Sequence, residues 1–140
     1  MPKTQAVATM LGLRTEVRSG LEMLPLVRKG LPYRSIENVA REMDLSVDET
    51  AQSLGLARRT LARRKTLRVL DPAESERVVR LAGTLAHATE VLGSREKARQ
   101  WLRAPNRALG GESPLSLLDT EIGARAVDDV LVRIEHGVFS

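Results

Sequence analysis

Apolar residues recur along this chain at three- and four-residue intervals, separated by polar and charged positions. Ile36, Val39, Ala40 and Met43 keep this spacing, so one face of their segment is expected to be buried. Val78, Leu81, Ala82, Leu85, Thr89 and Leu92 make a longer stripe, and Ala98, Trp101 and Leu102 share a third face. Ile122, Ala126, Val130 and Ile134 repeat every four residues. This is helical periodicity, and it predicts an all-α fold.

Start and stop signals frame these stripes. Ser46-Val47-Asp48-Glu49 is a capping box: the serine accepts from the amide of Glu49, and the Glu49 carboxylate returns to the amide of Ser46. Asp71-Pro72-Ala73-Glu74 is a second start, with proline in the first turn, of a long helix expected to run to Gly93. Ser94 and Thr120 are placed to cap two further helices, and Pro105-Asn106 and Gly137 to end them. Residues 106–115 read as a loop, and Ser113-Pro114 starts a short helix ending near Leu118. Residues 21–29 look helical, with Pro25 expected near a start or at a kink. Residues 1–18 carry no start signal and are expected to be a loosely ordered arm. The chain thus divides into an arm (1–18), a region 19–70 and a region 71–140, with the long helix joining the last two.

The segment Gly55-Leu56-Ala57-Arg58-Arg59-Thr60-Leu61-Ala62-Arg63-Arg64-Lys65 has the layout of a helix-turn-helix. Ala51 is small enough for two helices to cross closely, Gly55 tolerates a left-handed turn, and Leu54, Leu56 and Leu61 can seal the pair. The second helix then offers its N-terminal residues to the major groove, where arginine contacts phosphate or binds guanine with two hydrogen bonds. Arg58, Arg59 and Arg63, with Thr60, are candidate base or phosphate contacts. Arg64 and Lys65 are expected to reach phosphate. At Ala57 the helix lacks the Ser, Thr, Asp or Asn that would cap it.

Charge sharpens this reading. The chain of 140 residues carries +4 overall, but residues 1–70 hold +6 and residues 71–140 hold −2. No acid lies between Thr50 and Leu70, which contain six cations. The basic half therefore suits a polyanion and the acidic half a different partner. Apolar residues make up 42% and aromatics only 2%, so the core must be built from Leu, Val, Ala and Met. There is no signal-like segment and no apolar run near 18 residues, which points to a cytoplasmic protein without a membrane partner.

Candidate chemistry is sparse. With no cysteine, disulfides and thiolate metal sites are excluded. His87 and His136 stand in no metal-ligand spacing, and no serine sits in a nucleophile elbow. Asp128-Asp129 reads as a solvated face, because adjacent helical residues point about 100° apart. Gly110-Gly111 lacks the following Lys-Ser/Thr and the preceding strand of a phosphate-binding loop. Neither catalysis nor a cofactor or metal is expected.

The second half carries a resemblance through Trp101-Leu102-Arg103-Ala104-Pro105-Asn106, Ala108-Leu109-Gly110-Gly111, Ser113-Pro114-Leu115, Leu117-Leu118-Asp119-Thr120, Gly123-Ala124 and Arg133-Ile134-Glu135-His136-Gly137. Together these resemble the antitoxins of the Xre/MbcA/ParS class, the partners of RES-domain toxins. Leu54-Gly55-Leu56 and Arg59 to Lys65 are similar to the Xre-type DNA-binding part of the same family. Ala57 departs from it, since serine is usual there.

The resemblance implies an all-α type II antitoxin: an N-terminal Xre-like helix-turn-helix half joined by a long helix to a C-terminal toxin-binding half. It implies two partners, an NAD-consuming RES toxin and operator DNA, and a homodimer within a larger toxin–antitoxin complex. The long helix after Asp71 is the expected dimer element, with Trp101 and its neighbours as further candidates. The toxin contact is expected at the end of the chain, Arg133, Ile134, Glu135, His136, Gly137, Val138, Phe139 and Ser140, with Ile134 and Phe139 as apolar anchors. Phe139 could instead fold onto the chain's own core. The alternative function is a stand-alone helix-turn-helix regulator whose C-terminal half dimerises or binds another regulator.

Overall fold

The computed structural model describes residues 2–137. Among them the chain forms α1 (Pro2–Met10), α2 (Gly20–Lys29), α3 (Arg34–Met43), α4 (Val47–Ser53) and α5 (Arg58–Leu67). The long α6 (Pro72–Leu92) and α7 (Arg95–Arg103) follow, then two 3-10 turns, η1 (Arg107–Leu109) and η2 (Pro114–Leu117), and finally α8 (Glu121–Glu135). The described residues contain no strand, only an isolated antiparallel bridge between Pro32 and Val69. The all-α expectation holds.

The helix starts stand where local hydrogen bonding puts them. Ser46 and Glu49 close both arms of their capping box, at 3.0 and 2.9 Å. Asp71 and Glu74 do the same at 2.7 and 2.9 Å. The amide of Ser46, followed by its hydroxyl, holds the Glu49 carboxyl below the usual glutamate range. Ser94 and Thr120 accept from the third residue of α7 and α8. Gly93 ends α6 in a left-handed conformation. Pro25 lies inside α2 instead of at its start, at an exposed position.

α6 is the axis of the molecule. It packs against α1, α2 and α3 from one half of the chain and α7 and α8 from the other. Val78, Leu81, Ala82, Leu85 and Ala88 are fully buried along it. The predicted stripe is therefore real but too narrow, since Ala88 and His87 are buried beside it. This enclosure leaves the buried stripe of α6 no room for a second copy, so any pairing through α6 would use its outer face. Its apolar face is already covered within one chain.

The first eighteen residues also differ from expectation. Instead of a loose arm they contain α1, which packs on α6 and α3 and buries Val7, Ala8, Met10 and Leu11. The carbonyl of Leu11 accepts from Ser35 Oγ at 2.9 Å, and the amide of Val17 donates to Gln5 Oε1 at 2.8 Å. The small residues of α1, with no acid in its first turn and no base in its last, leave few local signals to read.

The final helix is rotated relative to its predicted stripe. Val127, Val130 and Leu131 are buried, Ala126 and Ile134 half-buried, and Ile122 is 85% exposed. Gly123 explains the rotation. A Cβ there would meet the Leu117 carbonyl, so this face of α8 lies against η2 and the neighbouring Ile122 turns outward.

The start of α5 has the unfilled cap expected of alanine: Ala57 is extended, with φ −69° and ψ 147°, and makes no side-chain cap bond. Ala57→Ser is expected to stabilise the protein by about 0.5–2 kcal/mol in denaturant melts. An unchanged midpoint would mean that the amides of the first turn already have an acceptor in the free protein.

Candidate functional site

α4 and α5 meet around Ala51, 2% exposed, and the chain reverses at Gly55, where φ is +74°. Leu54, Leu56 and Leu61 are buried at the crossing. Leu61 is the one buried residue of α5, so the remainder of that helix faces outward or is half-covered. Arg58, Arg59, Arg63 and Lys65 are exposed, and Thr60 is half-buried. Among the described residues, no acid lies in ion-pair distance of these four cations.

Arg58 and Lys65 border a shallow cleft with Tyr33, Glu37 and Asp48. Burial, then Glu37 and Asp48, push the Tyr33 hydroxyl above its ordinary pKa. The flank of α5 toward α3 is thus partly acidic, whereas Arg59 and Arg63 do not line that cleft.

Arg64 is placed differently from its neighbours. Its Nε donates to Glu74 Oε1 at 2.6 Å and its Nη2 to Asp71 Oδ2 at 3.2 Å. Its side chain is only 17% exposed. The hydrogen bond to Glu74 raises the guanidinium's pKa still further. Two of its donor nitrogens are thus engaged on α6, which the expectation of a phosphate contact had not foreseen. Nothing in a one-dimensional run of like cations distinguishes it from Arg63.

The second region lies on α7, the turns and α8. Asn106 Oδ1 accepts from the amide of Ala108, and the loop closes when the amide of Asn106 donates to the Glu112 carbonyl. Arg133 and Ile134 are half-buried, so Ile134 presents only part of its side chain to a partner. Glu135, His136 and Gly137 are exposed. Val138, Phe139 and Ser140 lie outside the described residues. Ile122 is the strongly exposed large apolar residue of α8, and sequence periodicity had placed it in the buried stripe.

His87 ties α6 to α8. Its Nδ1 is 2.7 Å from Asp128 Oδ1, and its Nε2 is 3.7 Å from Glu135 Oε1. Asp128 is therefore partnered, although Asp128-Asp129 read as a solvated pair. His87 and Asp128 are 41 residues apart, so no local signal could join them. Among the described residues, no group of three or more His, Cys, Asp and Glu is placed to hold a metal ion. No described helix is long and apolar enough to cross a membrane.

Comparison with known proteins assigns both regions. Residues 22–83 match the antitoxin Xre-like helix-turn-helix domain, and residues 87–137 match the antitoxin Xre/MbcA/ParS C-terminal toxin-binding domain. An antitoxin Xre from Yersinia enterocolitica serotype O:8 / biotype 1B is 34% identical over 140 residues, covering 99% of this chain and 93% of that protein. An antitoxin Xre from Photorhabdus laumondii subsp. laumondii is 32% identical over 124 residues, covering 87% and 84%. A Prs ADP-ribosylating antitoxin from Sphingobium sp. (strain YBL2) is 28% identical over 132 residues, covering 87% and 83%. The fold and these matches define a helix-turn-helix protein with a toxin-binding domain, and the chain belongs to the antitoxin Xre family.

The seat of α8 on η2 yields a paired prediction. Alanine is ordinarily the better helix former by about 1 kcal/mol. Gly83→Ala, whose added Cβ meets nothing within 4 Å, should stabilise the protein by about 0.5–1 kcal/mol. Gly123→Ala should instead destabilise it by about 1–3 kcal/mol, because the backbone of Leu117 must move. Equal shifts of the two melting midpoints would contradict the close approach of α8 to η2.

Proposed function

We propose that this protein is a type II antitoxin that inhibits a cognate RES-domain, NAD-consuming toxin and represses its own operon. In this reading α5 binds operator DNA, and the end of α8 with the following tail covers the toxin's active-site cleft. The observation that carries the DNA half is the exposed set Arg58, Arg59, Arg63 and Lys65, none ion-paired among the described residues, on the second helix of a helix-turn-helix. The uncapped amides at its start add donors suited to a backbone phosphate. Arg59 and Arg63, clear of the acidic cleft, take the main contacts, with Thr60 beside them.

The toxin half rests on the match to a toxin-binding domain, which favours this reading over a stand-alone regulator. The name of the Sphingobium relative joins an antitoxin to ADP-ribosylation of Prs. ADP-ribosyl transfer draws on NAD, the molecule a RES toxin consumes. The contact residues are Arg133 to Gly137, then Val138, Phe139 and Ser140. The exposed Ile122 offers a second apolar contact on α8. The antitoxin works in the cytoplasm as a homodimer, so that two α5 helices read two half-sites. With the stripe of α6 enclosed, the exposed Leu67 at the end of α5 and Val69 just beyond it supply the dimer contact.

Titration of the full chain against its operator tests the DNA half. Arg59→Ala with Arg63→Ala should weaken binding, by roughly 1–3 kcal/mol for each of the two arginines that reads a base. For an arginine that meets phosphate, the salt slope should instead fall by about 1. Unchanged affinity would remove α5 from the interface, and a stoichiometry of one chain per operator would remove the dimer. For the toxin half, a chain ending at Glu135 should still bind operator yet fail to protect cells from the toxin. Full inhibition by that truncation at equal concentration would shift the contact to the body of the domain.

A further inference from the structure

α5 is weakly anchored for a helix that must be aimed. Leu61 is its one buried residue, and its N-terminal cap is empty. Beyond its C-terminal end, Arg68 takes a left-handed conformation and its carbonyl accepts from the amide of Tyr33. Between Leu61 and that turn, the polar attachment is Arg64. Its Nε and Nη2 grip two carboxylates that already have another task. Asp71 and Glu74 are the reciprocal capping pair of α6, and Glu74 Oε1 accepts both from the amide of Asp71 and from Arg64 Nε. Glu74 is 6% exposed, so its charge is withdrawn from water and needs the arginine. A planar guanidinium held across two carboxylates fixes direction as well as distance.

We propose that Arg64 is a positioning residue: it sets the angle of α5 on the N-terminus of α6 and so aims Arg59 and Arg63, without itself touching DNA. This rests on the reading that α5 binds operator DNA. The arrangement explains why two acids stand beside a helix meant for a polyanion. They face Arg64, while Arg59, Arg63 and Lys65 remain unpaired with acids on the outer surface.

The two roles for Arg64 predict opposite signs. If Arg64 contacted phosphate, neutralising its acidic neighbours would free it and reduce repulsion, so operator binding would tighten. If Arg64 aims the helix, the same change weakens operator binding. Asp71→Asn keeps a side chain able to cap α6, and Glu74→Gln keeps an acceptor oxygen. Arg64→Lys keeps the cation and loses the planar fork. Each variant of the full chain would be titrated with operator and with an unrelated duplex of equal length, at a temperature where circular dichroism shows it folded. The expected result is a loss of about tenfold in operator affinity, about 1.4 kcal/mol. Affinity for the unrelated duplex should be unchanged or raised.

Operator affinity left unchanged by Arg64→Lys, or weakened equally on both duplexes, would overturn the proposal. Tighter or unchanged operator binding by Asp71→Asn and Glu74→Gln would also overturn it. Arg59→Ala with Arg63→Ala serves as the reference. If that pair weakens operator binding while the Asp71 and Glu74 variants do not, positioning fails and the DNA-binding reading stands. If that pair has no effect, both fall.

Discussion

The apolar surface of α6 is too broad to be covered from one direction. Val78, Leu81, Ala82, Leu85 and Ala88 are fully buried, and they are covered by helices drawn from both ends of the chain. That requirement organises the rest of the protein. α1, α2 and α3 close on one part of α6, α7 and α8 on another, and their buried residues form one continuous core. The helix-turn-helix and the toxin-binding domain are therefore two surfaces on one apolar interior. It also explains the economy in aromatics: Leu, Val, Ala and Met interleave closely around a helix with small residues on its sides.

The polar groups of α6 extend the same arrangement. A helix or 3-10 turn that stops short leaves carbonyls without partners. Leu54 closes α4 and Leu118 closes η2, and both carbonyls accept from arginines of α6. Arg77 Nη1 reaches the Leu54 carbonyl at 3.4 Å, and Arg80 Nη1 reaches that of Leu118 at 3.1 Å. One turn of α6 thus attends to the end of an element in each half. At its start, the caps of α6 take hold of Arg64. The basic character of the chain is divided accordingly: some cations satisfy internal carbonyls and carboxylates, and others remain at the surface of α5.

Sequence and structure agree most closely where the interaction is short in sequence. The capping pairs Ser46–Glu49 and Asp71–Glu74, the caps Ser94 and Thr120, and the empty cap at Ala57 each involve residues within one helical turn. Their geometry follows from residue type and spacing. The turn at Gly55 and the small residue at Ala51 belong to the same class. A dipolar contact of three or four residues needs no knowledge of the rest of the chain. The helical period of the long stripe is equally local, which is why α6 could be read from end to end.

Tertiary structure decided which face and which charge mattered. Periodicity assigns a helix to residues 121–135 but cannot set its rotation to better than one residue; the approach of Gly123 to Leu117 turned Ile122 outward and Val127 inward. Composition gives no reason to bury Val7 and Leu11, because their cover comes from α3 and α6, far along the chain. Arg63 and Arg64 are adjacent and chemically identical, yet only Arg64 meets the carboxylates at the start of α6. His87 finds Asp128 across 41 residues. The sequence by itself determined the helices, their ends and the excess of positive charge, because these arise from neighbours. The folded chain decided burial, rotation and pairing, because these depend on atoms that only packing brings within a few ångströms.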